Sequence, residues 1–209
     1  AKVVLITAGI GKFSPRPLPA GDGWVGRGME FFVPSFAPYV DKDVVIVGGG
    51  PAGLIAAEVL RAAGVEVDLF EARGSVGRKF LIAGKGGLNL THSEPFDAFV
   101  ARYGARRAAV AGWLQRFDAD ALREWARGHG VETFVGSSGR VFPSDLKAAP
   151  LLRGWVRRLR ESGVRFHVQH RWLGWDEDGA LRFQTAQGER RRNGEHERCD
   201  GDAGGDCRH

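Results

Sequence analysis

An α/β fold wound around a parallel sheet is what this sequence predicts, and three observations carry that prediction. Val44-Val45-Ile46-Val47 is an apolar run of strand length that breaks into Gly48-Gly49-Gly50. Pro51 to Ala63 follows with helical composition, and Gly64 stops it. Glu66 to Phe70 is a second apolar run, and it delivers Glu71 about 20 residues beyond the glycines. Strand, glycine turn, helix, strand and acidic tip, in that order, spell out a Rossmann-type unit of the kind that holds the ADP half of FAD or NAD(P).

Each part of the motif has a physical task. Gly48 allows the tight turn after the strand. Gly50 lets the backbone come close to a pyrophosphate, and Gly53 lets the helix pack close on the sheet. The helix start at Pro51 and Ala52 offers free N–H groups and a partial positive charge to that pyrophosphate. Glu71, with Ala72 beside it, is placed to accept the ribose hydroxyls. Its charge would repel a 2′-phosphate, so FAD or NAD suits this half-site better than NADP.

The rest of the chain is less regular. Val3 to Thr7 reads as a buried strand, and a Pro- and Gly-containing connector runs from Ser14 through Pro38. Gly74 to Thr91 reads as one long glycine-rich loop that wraps against the domain or a ligand. Residues 96–129 look mostly helical, with breaks near Gly104 and Gly112 and a buried face of Leu114, Phe117, Leu122 and Trp125. Thr133 to Phe142 suits a small hairpin. Pro150 fits the first turn of a helix that reaches about Glu161, with Leu151, Leu152, Trp155, Val156 and Leu159 at helical spacing. Val164 to Val168 alternates like a strand whose Arg165, His167 and Gln169 face solvent, and another strand begins at Leu181 after a turn at Asp178-Gly179. From Gly188 onward aliphatic residues almost vanish, which predicts a segment that is disordered or a surface appendage. The expected division is therefore 1–43, a strand and crossover segment; 44–95, the dinucleotide-binding core; 96–145, a partial, mostly helical lobe; 146–187, a return helix and strands; and 188–209, a polar tail.

Composition narrows the class of protein. The 209 residues are 43% hydrophobic and 26% charged, enough apolar content for one good core. The net charge of +5 favours an anionic ligand. It does not establish nucleic-acid binding, because the arginines are interspersed with acids, and the one basic run, Arg190-Arg191-Arg192, suits a solvated surface. The longest apolar stretch, Val44 to Leu60, is interrupted by the glycine turn and Glu58 and falls short of the roughly 20 residues a membrane span needs. Cys199 and Cys207 both lie in the tail and form no disulfide framework, so a cytoplasmic address is expected. With His196 and His209 their spacing is too loose for a zinc site, and no metal is expected.

Two resemblances add to these readings. From Val44 to about Thr185 the chain resembles the BaiN-like flavoprotein family and the related bacterial aminoacetone oxidases, through GGGPAGLIAAEVL, FEARGSVGRKFLIAGKGGLNLTHSE and ETFVGSSGRVFPSDLKAAPLLRGW. That resemblance implies an FAD-dependent oxidoreductase with a glutathione-reductase-like FAD domain and an inserted lobe. It also implies that Arg78, Lys79 and the loop containing Gly87, Asn89, Leu90 and Thr91 lie along the pyrophosphate and flavin. Residues 1–50 are similar to the thioredoxin-reductase-like ferredoxin–NADP reductases, through AKVVLITAGIGKFSPRPLP and GRGMEFFVPSFAPYVDKDVVIVGGG. The two resemblances meet in the shared glycine motif, as a recombination, a designed splice or an assembly error would leave them. A constructive alternative is that Val3 to Thr7 supplies the sheet strand expected after Thr185, as in a partial circular permutation.

Catalytic residues are not identifiable from spacing. His92, His129, His167 and His170 stand apart, and no Ser/His/Asp arrangement is present. Ser137, Ser138 and Arg140 suit either a small anion loop or a solvated turn. The expected partners are a small-molecule substrate or electron acceptor, with NAD(P)H as a candidate reductant. The competing expectations are a non-catalytic dinucleotide-binding fragment and an NAD(P)H-binding module.

Overall fold

In the computed structural model, residues 3–6, 29–30, 42–83 and 86–192 are described. A five-stranded parallel sheet forms the centre. Its strands are β1 (Val3–Ile6), β2 (Met29–Glu30), β3 (Val44–Val47) and β4 (Val67–Glu71), with a later strand at Arg165–Val168. Helix α1 (Pro51–Ala62) connects β3 to β4. It ends at Gly64, whose φ of +79° is open to glycine without strain.

Where a single loop is expected over residues 74–91, a short helix α2 (Arg78–Ala83) and strand β5 (Thr91–His92) form instead. Gly77 N–H donates to the Gly49 carbonyl at 2.7 Å and its own carbonyl receives Leu81 N–H, so the glycine turn itself seeds α2. The chain then forms α3 (Phe96–Ala101), a 3-10 turn at Gly104–Arg106, α4 (Arg107–Leu114) and α5 (Ala119–Gly128). Gly112 lies within α4 rather than at a break. One glycine costs a helix only about 1 kcal/mol, and the chain breaks instead at Asp118, whose carboxylate caps α5 by accepting Ala121 N–H at 2.8 Å. Of the four residues expected on a buried face, Phe117 is exposed and Leu114, Leu122 and Trp125 are half-buried. Strands β6 (Thr133–Val135) and β7 (Arg140–Pro143) make the expected hairpin, and β5 pairs with β7.

Helix α6 (Ala148–Glu161) leads into β8 (Arg165–Val168), and then β9 (Arg171–Trp175), β10 (Leu181–Thr185) and β11 (Gly188–Arg192) form an antiparallel sheet. The tail expected from Gly188 is thus a strand as far as Arg192. Its backbone pairs with β10, and its charges are matched by Glu189 to Arg182 and by Arg191 to Asp176 at 2.5 Å and Asp178 at 2.7 Å. Side-chain pairing takes the place of the missing aliphatics. Cys199, Cys207, His196 and His209 lie outside the described residues.

The parallel sheet runs β2-β1-β3-β4-β8. β1 stands beside β3 with Val4 opposite Val45 and Ile6 opposite Val47, which is the neighbour relation the permuted-strand alternative requires. The chain leaves β3 toward β4 on one side, and β1 flanks it on the other. That makes the end of β3 the switch point of the sheet, where open α/β folds bind ligands.

Strand alternation divides the core in two. Val44, Ile46, Val67 and Leu69 face α1 and α6, packing with Leu54, Leu60, Trp155 and Leu159. Val45 and Phe70 face the antiparallel sheet and pack with Leu181 and Phe183. The α5–α6 contact is equally tight. A Cβ on Gly154 would lie 2.5 Å from the His129 carbonyl oxygen, a backbone atom that side-chain rotation cannot clear. Gly154→Ala is therefore expected to destabilise by about 1–3 kcal/mol despite alanine's better helix propensity, measurable as a lower urea midpoint.

Candidate functional site: the glycine turn and Glu71

The site is assembled where β3 hands over to α1. Gly48 takes a φ of +108°, a left-handed turn suited to glycine, and its N–H donates to the Phe70 carbonyl at 2.8 Å. Gly49 is buried between neighbours. A Cβ there would stand 2.5 Å from Val76 Cγ1 and 3.2 Å from Glu71 Oε2. Gly50 is the opposite case, with nothing within 4 Å of its Cβ position. It is the N-cap of α1 in extended conformation, with no side-chain cap, Pro51 next to it and no acid in the first turn. Pro51 and Ala52 are exposed and Gly53 is buried under the helix. The positive end of α1 therefore opens onto space beside Gly50.

Glu71, at the tip of β4, is held rigidly. Oε2 accepts Gly49 N–H at 2.8 Å and Oε1 accepts Arg73 N–H at 2.9 Å. A carboxylate offers about four lone-pair positions, so each oxygen keeps one for an incoming hydroxyl. The steric role of Gly49 was invisible in the motif. It depends on Val76, which only the fold brings beside it.

The other candidate residues divide. Ala72 is exposed beside Glu71, and Arg78 and Lys79 are exposed at the start of α2, two positions after the Val76 that packs on the glycine turn. The stretch Gly87–Thr91 is pinned to β7 and the turn after it: Leu90 N–H donates to Val141 O and Leu88 N–H to Leu146 O, both at 2.9 Å. Gly87 has a φ of +111°, and Thr91 is buried in β5. Asn89 turns back on this stretch, its amide placed to donate to Thr91 O at 2.9 Å. Ser137 and Ser138 form the β6–β7 turn, Arg140 begins β7, and His92 Nε2 lies 3.0 Å from the Ser138 carbonyl.

The histidines do not converge on the glycine turn. His129 is fully buried, its Nδ1 2.7 Å from Trp125 O and its Nε2 4.0 Å from Glu58, which accepts the indole N–H groups of Trp125 and Trp155. His167 was expected to face solvent. It is half-buried, stacked on Phe70 at 4.3 Å, with Nε2 2.7 Å from Asp68. Asp68, only 2% exposed, is the residue the sequence reading missed. It lies on the strand face turned to the antiparallel sheet and gathers Arg165, Arg192 and His167. Burial pushes its carboxyl up, but the hydrogen bonds from His167 and Arg165 and the charge of Arg192 outweigh burial and hold it well below the usual carboxylate range.

Among the described residues, no group of three or more His, Cys, Asp or Glu side chains is arranged to hold a metal, and no helix is long and apolar enough to cross a membrane.

Comparison with known proteins decides the family. Residues 42–196 match the model of the HI0933-like protein Rossmann domain. The chain belongs to this family. A ferredoxin–NADP reductase of Salinispora arenicola is 41% identical over 169 residues, 80% of this chain and 46% of the relative. A ferredoxin–NADP reductase of a Nocardioides species is 90% identical over 50 residues, 24% of this chain and 15% of the relative. The HI0933-like chain thus spans less than half the length of these curated relatives. Among solved structures, the open conformation of a flavocytochrome c3 fumarate reductase matches with a TM-score of 0.55 at 17% identity, over 86% of this chain and 38% of that one. The 3-ketosteroid-delta4-(5alpha)-dehydrogenase of Rhodococcus jostii RHA1 matches at 0.52 and 16%, over 71% and 43%. These likenesses show an α/β Rossmann-type fold.

Proposed function

We propose that this HI0933-like domain binds the ADP portion of FAD at the glycine turn and serves an FAD-dependent oxidoreductase. The observation that carries this reading is the fixed Glu71 carboxylate, tied to Gly49 N–H at 2.8 Å, beside an uncapped helix start and the open space at Gly50. A pyrophosphate fits that space, because a Cβ on Gly50 would project into it and the N–H groups of the first α1 turn face it. Glu71 then takes the ribose hydroxyls, and its charge disfavours a 2′-phosphate.

The flavin supplies the redox chemistry, while the protein binds, orients and tunes it. Arg78 and Lys79 offer positive charge near the phosphates, and Gly87, Asn89, Leu90 and Thr91 frame the flavin side. The narrower affiliation with BaiN-like proteins and aminoacetone oxidases rests on GGGPAGLIAAEVL, FEARGSVGRKFLIAGKGGLNLTHSE and ETFVGSSGRVFPSDLKAAPLLRGW. NAD(P)H is the proposed reductant, since the curated relatives are named ferredoxin–NADP reductases. A small molecule or electron acceptor is the proposed substrate. The proposed compartment is the cytoplasm, on cysteine usage.

The test is quantification of FAD released on denaturation of the purified chain, followed by calorimetric titration of the FAD-stripped chain with ADP-ribose and 2′-phospho-ADP-ribose. Near-stoichiometric FAD and a clear preference for ADP-ribose are expected, and Glu71→Ala should abolish the preference. Equal affinity of the unaltered chain for both ligands would remove Glu71 from the site. Absence of FAD, with no reconstitution, would overturn the flavoprotein reading.

A further inference from the structure

α6 carries Arg153, Arg157 and Arg160 at helical spacing along one side, facing the edge of the parallel sheet where β8 has no outer neighbour among the described residues. Between them lies a cleft of ≈ 320 Å³, at the lower end of the roughly 300–1,000 Å³ range of small-molecule sites. Val156, Phe166 and Val168 contribute to its apolar floor, residues 74–76 close one end, and no carboxylate lines it.

Many arginines of the chain are neutralised locally, and the three beside the cleft are not. Arg61, Arg102, Arg127, Arg165, Arg182, Arg191 and Arg192 each sit against a carboxylate. Arg153 has no hydrogen-bonding or ionic partner among the described residues. Arg157 has only Glu161 at 3.9 Å, a solvent-exposed pair that contributes little. Arg160 lies over the Phe166 ring at 5.6 Å, with an aromatic face and no anion. Three guanidinium groups with unspent donors thus rim an apolar floor.

We infer that this cleft binds an organic anion with an apolar body, an aryl or alkyl carboxylate, sulfonate or phosphate. The apolar part covers Val156, Phe166 and Val168, and the anionic head meets Arg153 and Arg157 in charge-assisted hydrogen bonds. The cleft is distinct from the glycine turn. It lies on the sheet face shared with α6, across residues 74–76 from Glu71, and the inference rests on its own geometry.

The probe is anilinonaphthalene sulfonate, titrated by fluorescence into the full chain, with neutral phenylnaphthylamine as its uncharged counterpart. Saturable binding of one sulfonate per chain is expected. Losing two hydrogen bonds to a charged group should weaken it at least about tenfold in Arg153→Gln/Arg157→Gln. The neutral counterpart should bind weakly to every form. Val168→Ser, at a half-exposed floor position, should also weaken the probe and provides a second reading should the double variant misfold. ADP-ribose affinity should be unchanged in both variants. Equal probe affinity in the arginine variant, equal affinity for the neutral compound, or displacement of the probe by ADP-ribose would each overturn the assignment.

Discussion

Asp68→Asn is expected to lower stability by about 1–3 kcal/mol, the cost of removing the charge from a buried acceptor whose cationic partners, 26–38% exposed, recover part of their hydration. The Asp68 carboxylate accepts from Arg165 Nε at 3.0 Å, Arg165 Nη2 at 2.8 Å, His167 Nε2 at 2.7 Å and Arg192. An amide of the same shape carries no charge. It would leave Arg192 without its anion and Arg165 with only Glu66, 2.7 Å away. The cluster spans both sheets, since Arg165 is on β8, Arg192 on β11 and Asp68 on β4 between them. The variant should therefore also loosen β11, and trypsin should cut at Arg190–Arg192 sooner than in the unaltered chain. A urea midpoint within about 0.5 kcal/mol of the original would reduce the cluster to the weight of an ordinary surface substitution.

The same carboxylate sets an acid limit. Its pKa is depressed on folding, so the unfolded chain binds more protons than the folded one at low pH. The stability it contributes is fully present above about pH 4, the ordinary aspartate value, and is lost progressively as pH falls below it. Unfolding free energy should drop on acidification through that window. In Asp68→Asn the drop should be shallower, so the two curves converge toward low pH. Parallel curves would place the acid sensitivity elsewhere.

What could be read in the sequence follows from the distance over which each feature is determined. The β3–turn–α1–β4 unit is local: its apolar runs, glycines and acid lie within a few turns of chain, and each residue type has one backbone reason to be there. Asp68 sits in Val-Asp-Leu-Phe and looks like one polar residue on a half-buried strand. Its partners are 97, 99 and 124 residues away, and no local pattern announces them. β11 was illegible for a related reason. Gly-Glu-Arg-Arg-Arg has no aliphatic content, and only pairing with β10 and with Asp68, Asp176 and Asp178 makes it a strand. α2 escaped because its Gly-rich flanks suggested loop, whereas Gly77 uses them to tie the chain to Gly49. At the glycine turn the left-handed backbone of Gly48 was legible, and the packing of Gly49 against Val76 was not.

The division of labour at the turn is tested by two neighbouring glycines that should fail in different ways. Gly50→Ala meets no atom within 4 Å and keeps an ordinary φ of −78°, so folding should change by no more than about 1 kcal/mol, the scale of an N-cap substitution. Its methyl group nonetheless occupies the approach to the first turn of α1. ADP-ribose affinity should fall at least about tenfold, the equivalent of one lost hydrogen bond to a charged group. Gly49→Ala meets Val76 Cγ1 at 2.5 Å and crowds Glu71 Oε2. It should cost about 1–3 kcal/mol of stability as overpacking and weaken binding too, because the carboxylate moves with the loop. Adding Val76→Ala removes the Cγ1 contact and should recover part of the stability lost in Gly49→Ala. The pair separates a packing glycine from a ligand-facing one. Were Gly50→Ala to bind ADP-ribose as tightly as the unaltered chain, no pyrophosphate would lie over Gly50, and Glu71 would be reduced to a brace for the turn.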